Sequence, residues 1–333
     1  MSKFSLDVLE KCVFPFTKTK DPDVLLGASF GEDIALTRVG DDILVSHVDP
    51  IVGAIGNIGW LAVHISCNDI ATSGIPPRWI LVLVLVPKVD DEPLLVSIMK
   101  DVDRAANEIG VSVIGGHAGY SSGISRPLVS VTALGTAQNR KPVRTKGAQV
   151  GDHVLVTKGI ALEGTGILAV DFADKAIEFG LTPSELEQAK ELFDHVSVIP
   201  EALTLAEFGA TAMHDVTRGG LLETLLELAY LSDLAIEVDY SRIIIPEIVS
   251  KFARAFSFNP VQMISSGTLV ATIPTENLKS AKKALTEQRC PYSLIGSVIE
   301  GKGVFLREKD IVTHYTKIRA EEDELARMWA LYR

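Results

Sequence analysis

Apolar and polar residues alternate along this chain with two periods, and the switches between them predict its elements. Leu6 to Cys12 reads as a short helix. The polar stretch Thr17-Lys18-Thr19-Lys20-Asp21-Pro22 that follows has no period, and it reads as a loop whose lysines either stay solvated or fold over an anion. Gly31-Glu32-Asp33-Ile34-Ala35-Leu36 enters a strand, and Asp41-Asp42 turns the chain into Ile43 through Pro50, so the two form a hairpin. A Gly/Asn turn, Gly56-Asn57, then feeds one apolar helix from Ile58, broken at Gly74 and stopped before Pro76-Pro77, with Ile58, Leu61, Ile65 and Cys67 burying one face.

Trp79 to Val86 is an unbroken β-prone run, and a strand apolar on both faces must be covered on both. In a small single layer that predicts a subunit interface. Leu94, Leu95, Ile98, Val102, Ala105 and Ile109 mark an amphipathic helix. Val111 to Ile114 is a strand stopped by Gly115-Gly116-His117, and Leu128 to Leu134 is another. Arg140 to Asp152 has the composition of a connection, after which the pattern restarts with the strand His153–Thr157. The chain therefore divides near residue 150 into a domain of residues 1–150 and one of residues 151–333. Thr182-Pro183-Ser184-Glu185 is a capping box opening a helix through about Asp194. Apolar helix Leu221–Leu231, strand Thr268–Ile273, helix Glu276–Gln288, strand Ser293–Val298 and a terminal helix, Glu321–Leu331, complete an α/β layer.

Composition narrows the function classes. At 333 residues, with 47% hydrophobic and 23% charged residues, the chain can bury a large core. A net charge of −11 and pI near 5.2 argue against nonspecific nucleic-acid binding. Cys12, Cys67 and Cys290 have no CxxC spacing, so neither a zinc site nor a disulfide framework is indicated. No leader pattern is visible, and Trp79–Val86 is too short to cross a bilayer, so a soluble cytoplasmic protein without membrane partners is expected.

The chemistry gathers on acids in unusual places. Asp69 lies deep in an apolar helix, and a buried carboxylate needs a positive partner, for which a metal ion is the strongest candidate. Asp33 and Asp49 sit at opposite ends of the hairpin strands and therefore side by side, where they repel unless a cation lies between them. Turn chemistry explains each acid singly, and Asn68-Asp69 facing solvent is the plainer alternative. Met213-His214-Asp215-Val216-Thr217-Arg218-Gly219-Gly220 precedes a helix, so its glycines leave amides open to an anion while Asp215 and Arg218 suit a Mg²⁺-phosphate ligand. The alternative is that Asp215 or Thr217 caps the helix and Arg218 is solvated. The Gly115-Gly116 pair permits close backbone approach to a ligand, and His117 either contacts that ligand or stays solvated. Ser265-Ser266-Gly267 is a further turn facing the same cleft. Gly159, Gly164 and Gly166 do not make GxGxxG, which weakens any Rossmann reading.

Taken together, these motifs resemble the superfamily of aminoimidazole ribonucleotide synthetase, selenophosphate synthetase, thiamine-monophosphate kinase and the hydrogenase-maturation carbamoyl dehydratase. The resemblance runs from about residue 30 to about residue 305. It rests on Gly31–Ala35, His47-Val48-Asp49-Pro50, Gly56–Gly74, Gly115-Gly116-His117 and His214–Gly220, in order. The Gly-Asn-Ile-Gly and Asp-x-Thr-Arg-Gly-Gly forms look most like the maturation enzyme.

The resemblance implies an α/β (α+β) chain whose N-terminal sheet closes a barrel across a homodimer, followed by a C-terminal α/β domain. It implies ATP between the domains, with Asp33, Asp49, Asp69 and Asp215 holding Mg²⁺. Asp69, Asp215 and His117 would then act in catalysis, and Gly56, Asn57, Gly115, Gly116, Thr217, Arg218, Gly219 and Gly220 in nucleotide binding. An oxygen of a small-molecule or protein-borne acceptor would be activated or phosphorylated.

Two departures stand out. The chain shows no Cys after Cys290, where the maturation enzyme ends in one, and it has His117 where that enzyme usually has Asp. It also lacks a reactive Cys in a Gly-rich N-terminal loop, which speaks against selenium chemistry. The expectation is a paralogue with an unassigned acceptor; a nucleotide-binding homodimer without turnover, serving as regulator or scaffold, is the competing reading.

Overall fold

The computed structural model of the chain describes residue 4 and residues 6–52, 57–317 and 323–332. Gly56, Glu321 and Arg333 lie outside the described residues. Helix α1 (Leu6–Cys12) comes first, then strands β1 (Val24–Leu26), β2 (Ala35–Val39) and β3 (Asp42–Val52), helix α2 (Ile58–Thr72), β4 (Trp79–Val86), α3 (Glu92–Ile109), β5 (Ser112–Tyr120) and β6 (Leu128–Thr136). The six strands form one open sheet in the order β1-β2-β3-β6-β4-β5, antiparallel except for the β4–β5 pair.

The second half holds β7 (His153–Thr157), α4 (Leu162–Asp171), α5 (Ala173–Glu178), α6 (Pro183–Lys190), α7 (Ile199–Glu207), β8 (Ala212–Asp215), α8 (Gly220–Ser232), β9 (Ala235–Asp239) and α9 (Glu247–Phe256). It continues with β10 (Leu269–Ile273), α10 (Thr275–Glu287), β11 (Tyr292–Ile299), β12 (Gly303–Glu308), β13 (Ile311–Tyr315) and α11 (Glu324–Tyr332). Its seven strands run β13-β12-β9-β11-β7-β10-β8 in a second open sheet, parallel at the β9–β12 step alone. A separate apolar cluster from α4, α6, α9 and α11, including Leu168, Leu186, Phe252 and Met328, makes a helical layer beside this sheet.

Helix α2 is the joint. All fifteen of its residues are buried, because it lies on the first sheet, against α3, and also against α7 and β8 of the second half. This corrects the one-face expectation: a helix apolar all round is stable only when enclosed all round. Asn68 ties the halves together by donating Nδ2–H to Val196 O and accepting from Val198 N, both at 2.8 Å.

Strand β4 buries Ile80, Val82, Val84 and Val86 toward the helices, while Leu81 (38% exposed) and Leu83 (36%) point to the other face. The Gly115-Gly116 pair does not stop β5, which runs on through His117 to Tyr120. A Cβ on Gly116 would sit 1.9 Å from Val82 O, so this glycine serves the close approach of two strands. The helix opened by the Thr182 capping box ends at Lys190 rather than near Asp194, and a tighter 3₁₀ turn, Glu191–His195, follows. The β12–β13 hairpin and β9 were not anticipated from the sequence pattern.

Candidate active site

Four acids from four segments meet under one cleft. Asp33 precedes β2, Asp49 lies in β3, Asp69 comes from α2 and Asp215 ends β8. Asp69 is 4% exposed and Asp215 fully buried. Burial pushes the Asp69 carboxyl well above its usual range, and the charges of Asp215, Asp33 and Asp49 add to the rise. Both Asp215 oxygens are buried without a hydrogen-bond donor of proper geometry. Such a group costs about 1–3 kcal/mol when nothing compensates it, and more when charged.

Two histidines supply the compensation present in the protein itself. His47 Nε2 lies 3.0 Å from Asp69 Oδ2, and its Nδ1 meets the backbone oxygen of Asp33. His214 places Nδ1 2.7 Å from its neighbour's backbone oxygen at Asp215 and 3.1 Å from Asp33 Oδ2, with Nε2 3.0 Å from Glu227 Oε2. Burial alone would depress His214; Asp33, Asp215 and Glu227 outweigh it and hold the imidazole well above its ordinary pKa. Donor atoms of Asp33, His214 and Asp215 all lie within 4.8 Å of one another, so the His214 imidazole with its raised pKa sits among these acids.

The cleft above these acids has a volume of about 1990 Å³ and is lined by Asp33, Asp49, Glu163, Thr217, Arg218 and Ser266 among others. This exceeds the roughly 300–1,000 Å³ typical of a drug-sized ligand, so there is room for two substrates. Arg218 Nη1 lies 3.3 Å from Asp323 Oδ2, so this arginine is paired rather than solvated. Gly219 and Gly220 both take positive φ (+75° and +67°), and Gly219 caps α8. A Cβ on Gly220 would approach Val261 O to 2.6 Å, and its N–H donates to Thr217 O at 3.1 Å. That amide is thus used within the turn.

The anticipated residues fall into two groups. Asp33, Asp49, Asp69, Asp215, Thr217, Arg218, Gly219 and Gly220 are gathered at or beneath the cleft. Asn57, Gly115, Gly116 and His117 do not line it. Asn57 starts α2 with a left-handed backbone and accepts from Arg104 at 3.4 Å. His117 is exposed on edge strand β5, three strands from Asp49 and so about 14 Å across the sheet at about 4.8 Å per strand. Gly56 lies outside the described residues. Sequence reasoning missed His47, Glu227 and Glu163. His47 carried a signal, since a period of two puts it on the same face of β3 as Asp49.

Residues 31–137 match the family profile described as AIR synthase related protein, N-terminal domain, and residues 149–309 match that described as AIR synthase related protein, C-terminal domain. A Methanocaldococcus jannaschii protein provisionally named for hydrogenase expression/formation is 26% identical over 268 residues, or 79% of this chain and 77% of its own. Carbamoyl dehydratase HypE of Rhizobium leguminosarum bv. viciae is 25% identical over 271 residues, covering 78% and 73%. The selenide, water dikinase of Myxococcus xanthus is 28% identical over 321 residues, covering 85% and 87%. Among solved structures, E. coli HypE aligns with a TM-score of 0.74 at 20% identity over 90% of this chain and 94% of its own. A hydrogenase maturation protein HypE in complex with ATP aligns at 0.72 and 22% identity over 90% and 91%. These likenesses establish a mixed α/β fold of two domains. Both family profiles, in order and on either side of the connection, show that this chain belongs to the AIR synthase related family.

Proposed function

We propose that the protein is an ATP- and Mg²⁺-dependent enzyme that activates or phosphorylates an oxygen of a small-molecule or protein-borne acceptor. The observation carrying this reading is Asp215: a fully buried carboxylate that accepts no hydrogen bond and has only His214 Nδ1, 3.7 Å from its Oδ1, as a charged neighbour, beside an Asp69 whose ionisation the surrounding acids oppose. Such a set is costly unless a cation joins it. Hard oxygen donors suit Mg²⁺, which keeps waters and bridges to phosphates. In that role Asp33, Asp49, Asp69 and Asp215 would hold the ion, which neutralises phosphate charge during transfer. Thr217, Arg218 and the Gly219-Gly220 turn would face the phosphates. An ATP complex of a HypE relative and the name of the selenide, water dikinase support the nucleotide.

The reading includes a cytoplasmic homodimer and a division of the chain near residue 150. Leu81 and Leu83 leave an apolar outer surface on β4, which a second copy would cover. Two such sheets closing on each other would form the barrel, with Gly115, Gly116 and His117 at the interface. Among the described residues no helix is long and apolar enough to cross a membrane.

The test is phosphate release from Mg-ATP with candidate acceptors, alongside a thermal melt with and without Mg-ATP. Stabilisation without turnover on any acceptor would favour the non-catalytic scaffold, and no stabilisation at all would refute the nucleotide site.

A further inference from the structure

The cleft that Asp33 and Asp49 line holds another buried carboxyl, outside the set proposed to hold the ion. Glu163 sits in the first turn of α4, lines the cleft and is 5% exposed. An acid in a first helical turn is favourable by itself, so its position alone says little. Its surroundings say more. The preceding residue but one, Ala161, takes a left-handed backbone (φ +61°), a conformation that costs a non-glycine residue of order 1–3 kcal/mol and needs support.

That support comes from the turn at residues 263–266. Leu162 N donates to Ser265 Oγ at 3.1 Å, Gly164 N donates to Ile264 O at 3.1 Å, and Ser266 N donates to Glu163 Oε2 at 3.3 Å. A Cβ on Gly164 would meet Met263 at 2.4 Å, so the two turns are pressed together. Two tightly joined turns therefore fix one carboxyl at the cleft wall. Burial raises its pKa, Ser266 and the Arg218 guanidinium oppose the rise, and Asp215 adds to it. Arg218 is itself held by Asp323, which also accepts from Ala326 N at the start of α11. The carboxyl is thus neither pinned in its charged form by an ion pair nor free in water.

We propose that Glu163 is the catalytic proton acceptor for the acceptor substrate, which would be a hydroxyl, amide or water held between Glu163 and the phosphate end of the cleft. This rests on the nucleotide reading given above. As the acceptor oxygen forms its bond to the γ-phosphorus, the bond from that phosphorus to the β,γ-bridging oxygen breaks. The electron pair leaves on ADP, and the acceptor's proton passes to the Glu163 carboxylate, which later returns it to solvent. A carboxyl whose pKa is raised toward the working pH is better matched to this task than an ordinary one.

The experiment uses the full chain, Mg-ATP and water as acceptor, with phosphate release followed from about pH 5 to about pH 9. Glu163→Gln retains an oxygen for the Ser266 N–H and removes only the proton-accepting charge. Its release rate should fall by roughly 10²–10⁴ and lose the acid-side decline expected of wild type. The Mg-ATP-induced melting shift should equal that of wild type, and Glu163→Asp should recover part of the rate. A Gln variant with the wild-type rate and pH profile would overturn the assignment. Loss of the melting shift in that variant would overturn it too, since Glu163 would then belong to nucleotide binding. Wild type that is stabilised by Mg-ATP yet releases no phosphate would refute Glu163 and leave the nucleotide site standing. Absence of any stabilisation would refute both.

Discussion

Replacing Asp69 with Asn tests the metal-site reading most directly, because it keeps the shape of a buried side chain and removes its charge. In the metal-free protein the change should help. The folded Asp69 pKa is raised above its unfolded value, so the neutral form suits the fold. Its contribution is fully present below the unfolded pKa, near 3.9, and is lost as pH rises toward the folded pKa, at about 1.4 kcal/mol for each pH unit crossed between the two. Asp69→Asn removes that loss. Without ligand it should match wild type near pH 4 and exceed it near pH 8, with His47 Nε2, 3.0 Å from Asp69 Oδ2, still within reach of the new amide.

With Mg-ATP the order should reverse. At a ligand concentration of about 100 Kd, binding stabilises wild type by about 2.7 kcal/mol; a variant bound 100-fold more weakly keeps only about 0.4. At about 2–4 °C per kcal/mol these become melting shifts of about 5–10 °C and about 1–2 °C. Equal ligand-induced shifts in the two proteins would show that Asp69 holds no metal. A metal-free variant less stable than wild type at pH 8 would refute the repulsion argument.

Three further outcomes follow from particular neighbours. Asn68→Ala strands the buried Val196 O and Val198 N–H, each worth roughly 1–3 kcal/mol, so denaturant titration should show a loss of at least about 2 kcal/mol; a loss below about 1 would deny the joint its role. Leu83→Lys puts a charge on the exposed outer face of β4 and should give a folded monomer by light scattering, whereas Val84→Lys, at 1% exposure, should fail to fold; a dimeric Leu83→Lys protein would place the interface elsewhere. Gly220→Ala meets both a positive φ and the Val261 carbonyl, so it should destabilise by more than about 1 kcal/mol and reduce the Mg-ATP melting shift; an unchanged melt would mean the turn adapts.

What the sequence made legible was whatever depends on local pattern. The apolar run at Trp79–Val86, the capping box at Thr182 and the α8 start at Gly219-Gly220 all appear where short-range chemistry puts them. Asp69 was legible as a carboxyl in an apolar helix, whereas turn or cap chemistry explains Asp33, Asp49 and Asp215 singly, and only their recurrence together marked them. What stayed hidden depends on pairing across the chain. Nothing within residues 111–120 says that Gly116 is pressed against Val82 O, so the strand was expected to stop there. Nothing near Asp69 announces His47, which is 22 positions earlier and reaches it only because β3 packs under α2. Glu163 carried no signal in the sequence, because its enclosure depends on the turn at Ser266, about a hundred positions later.

The arrangement of α2 explains why acids so costly to bury can be gathered at all. Adjacent residues of this helix address the two halves of the chain differently. Asn68 binds the backbone at Val196 and Val198, whereas Asp69 faces acids from both halves, Asp33 and Asp49 on one side and Asp215 on the other. The first interaction holds the halves together, and the second pushes them apart once Asp69 ionises with no cation present. Because the two residues are neighbours on one rigid helix, the halves cannot relieve the repulsion by separating near Asp69 without breaking the Asn68 bonds. The burial of all fifteen α2 residues therefore keeps the acids close together, and on the proposed reading a cation entering the cluster would find its ligands already in place. Preorganisation of this kind puts the cost into folding rather than into binding. Asn68→Ala should accordingly weaken Mg-ATP binding as well as the fold, though Asn68 lies outside the ligand set. If the variant's Mg-ATP affinity, measured well below its melting temperature, equals that of wild type, the helix is only a structural joint and the coupling is absent.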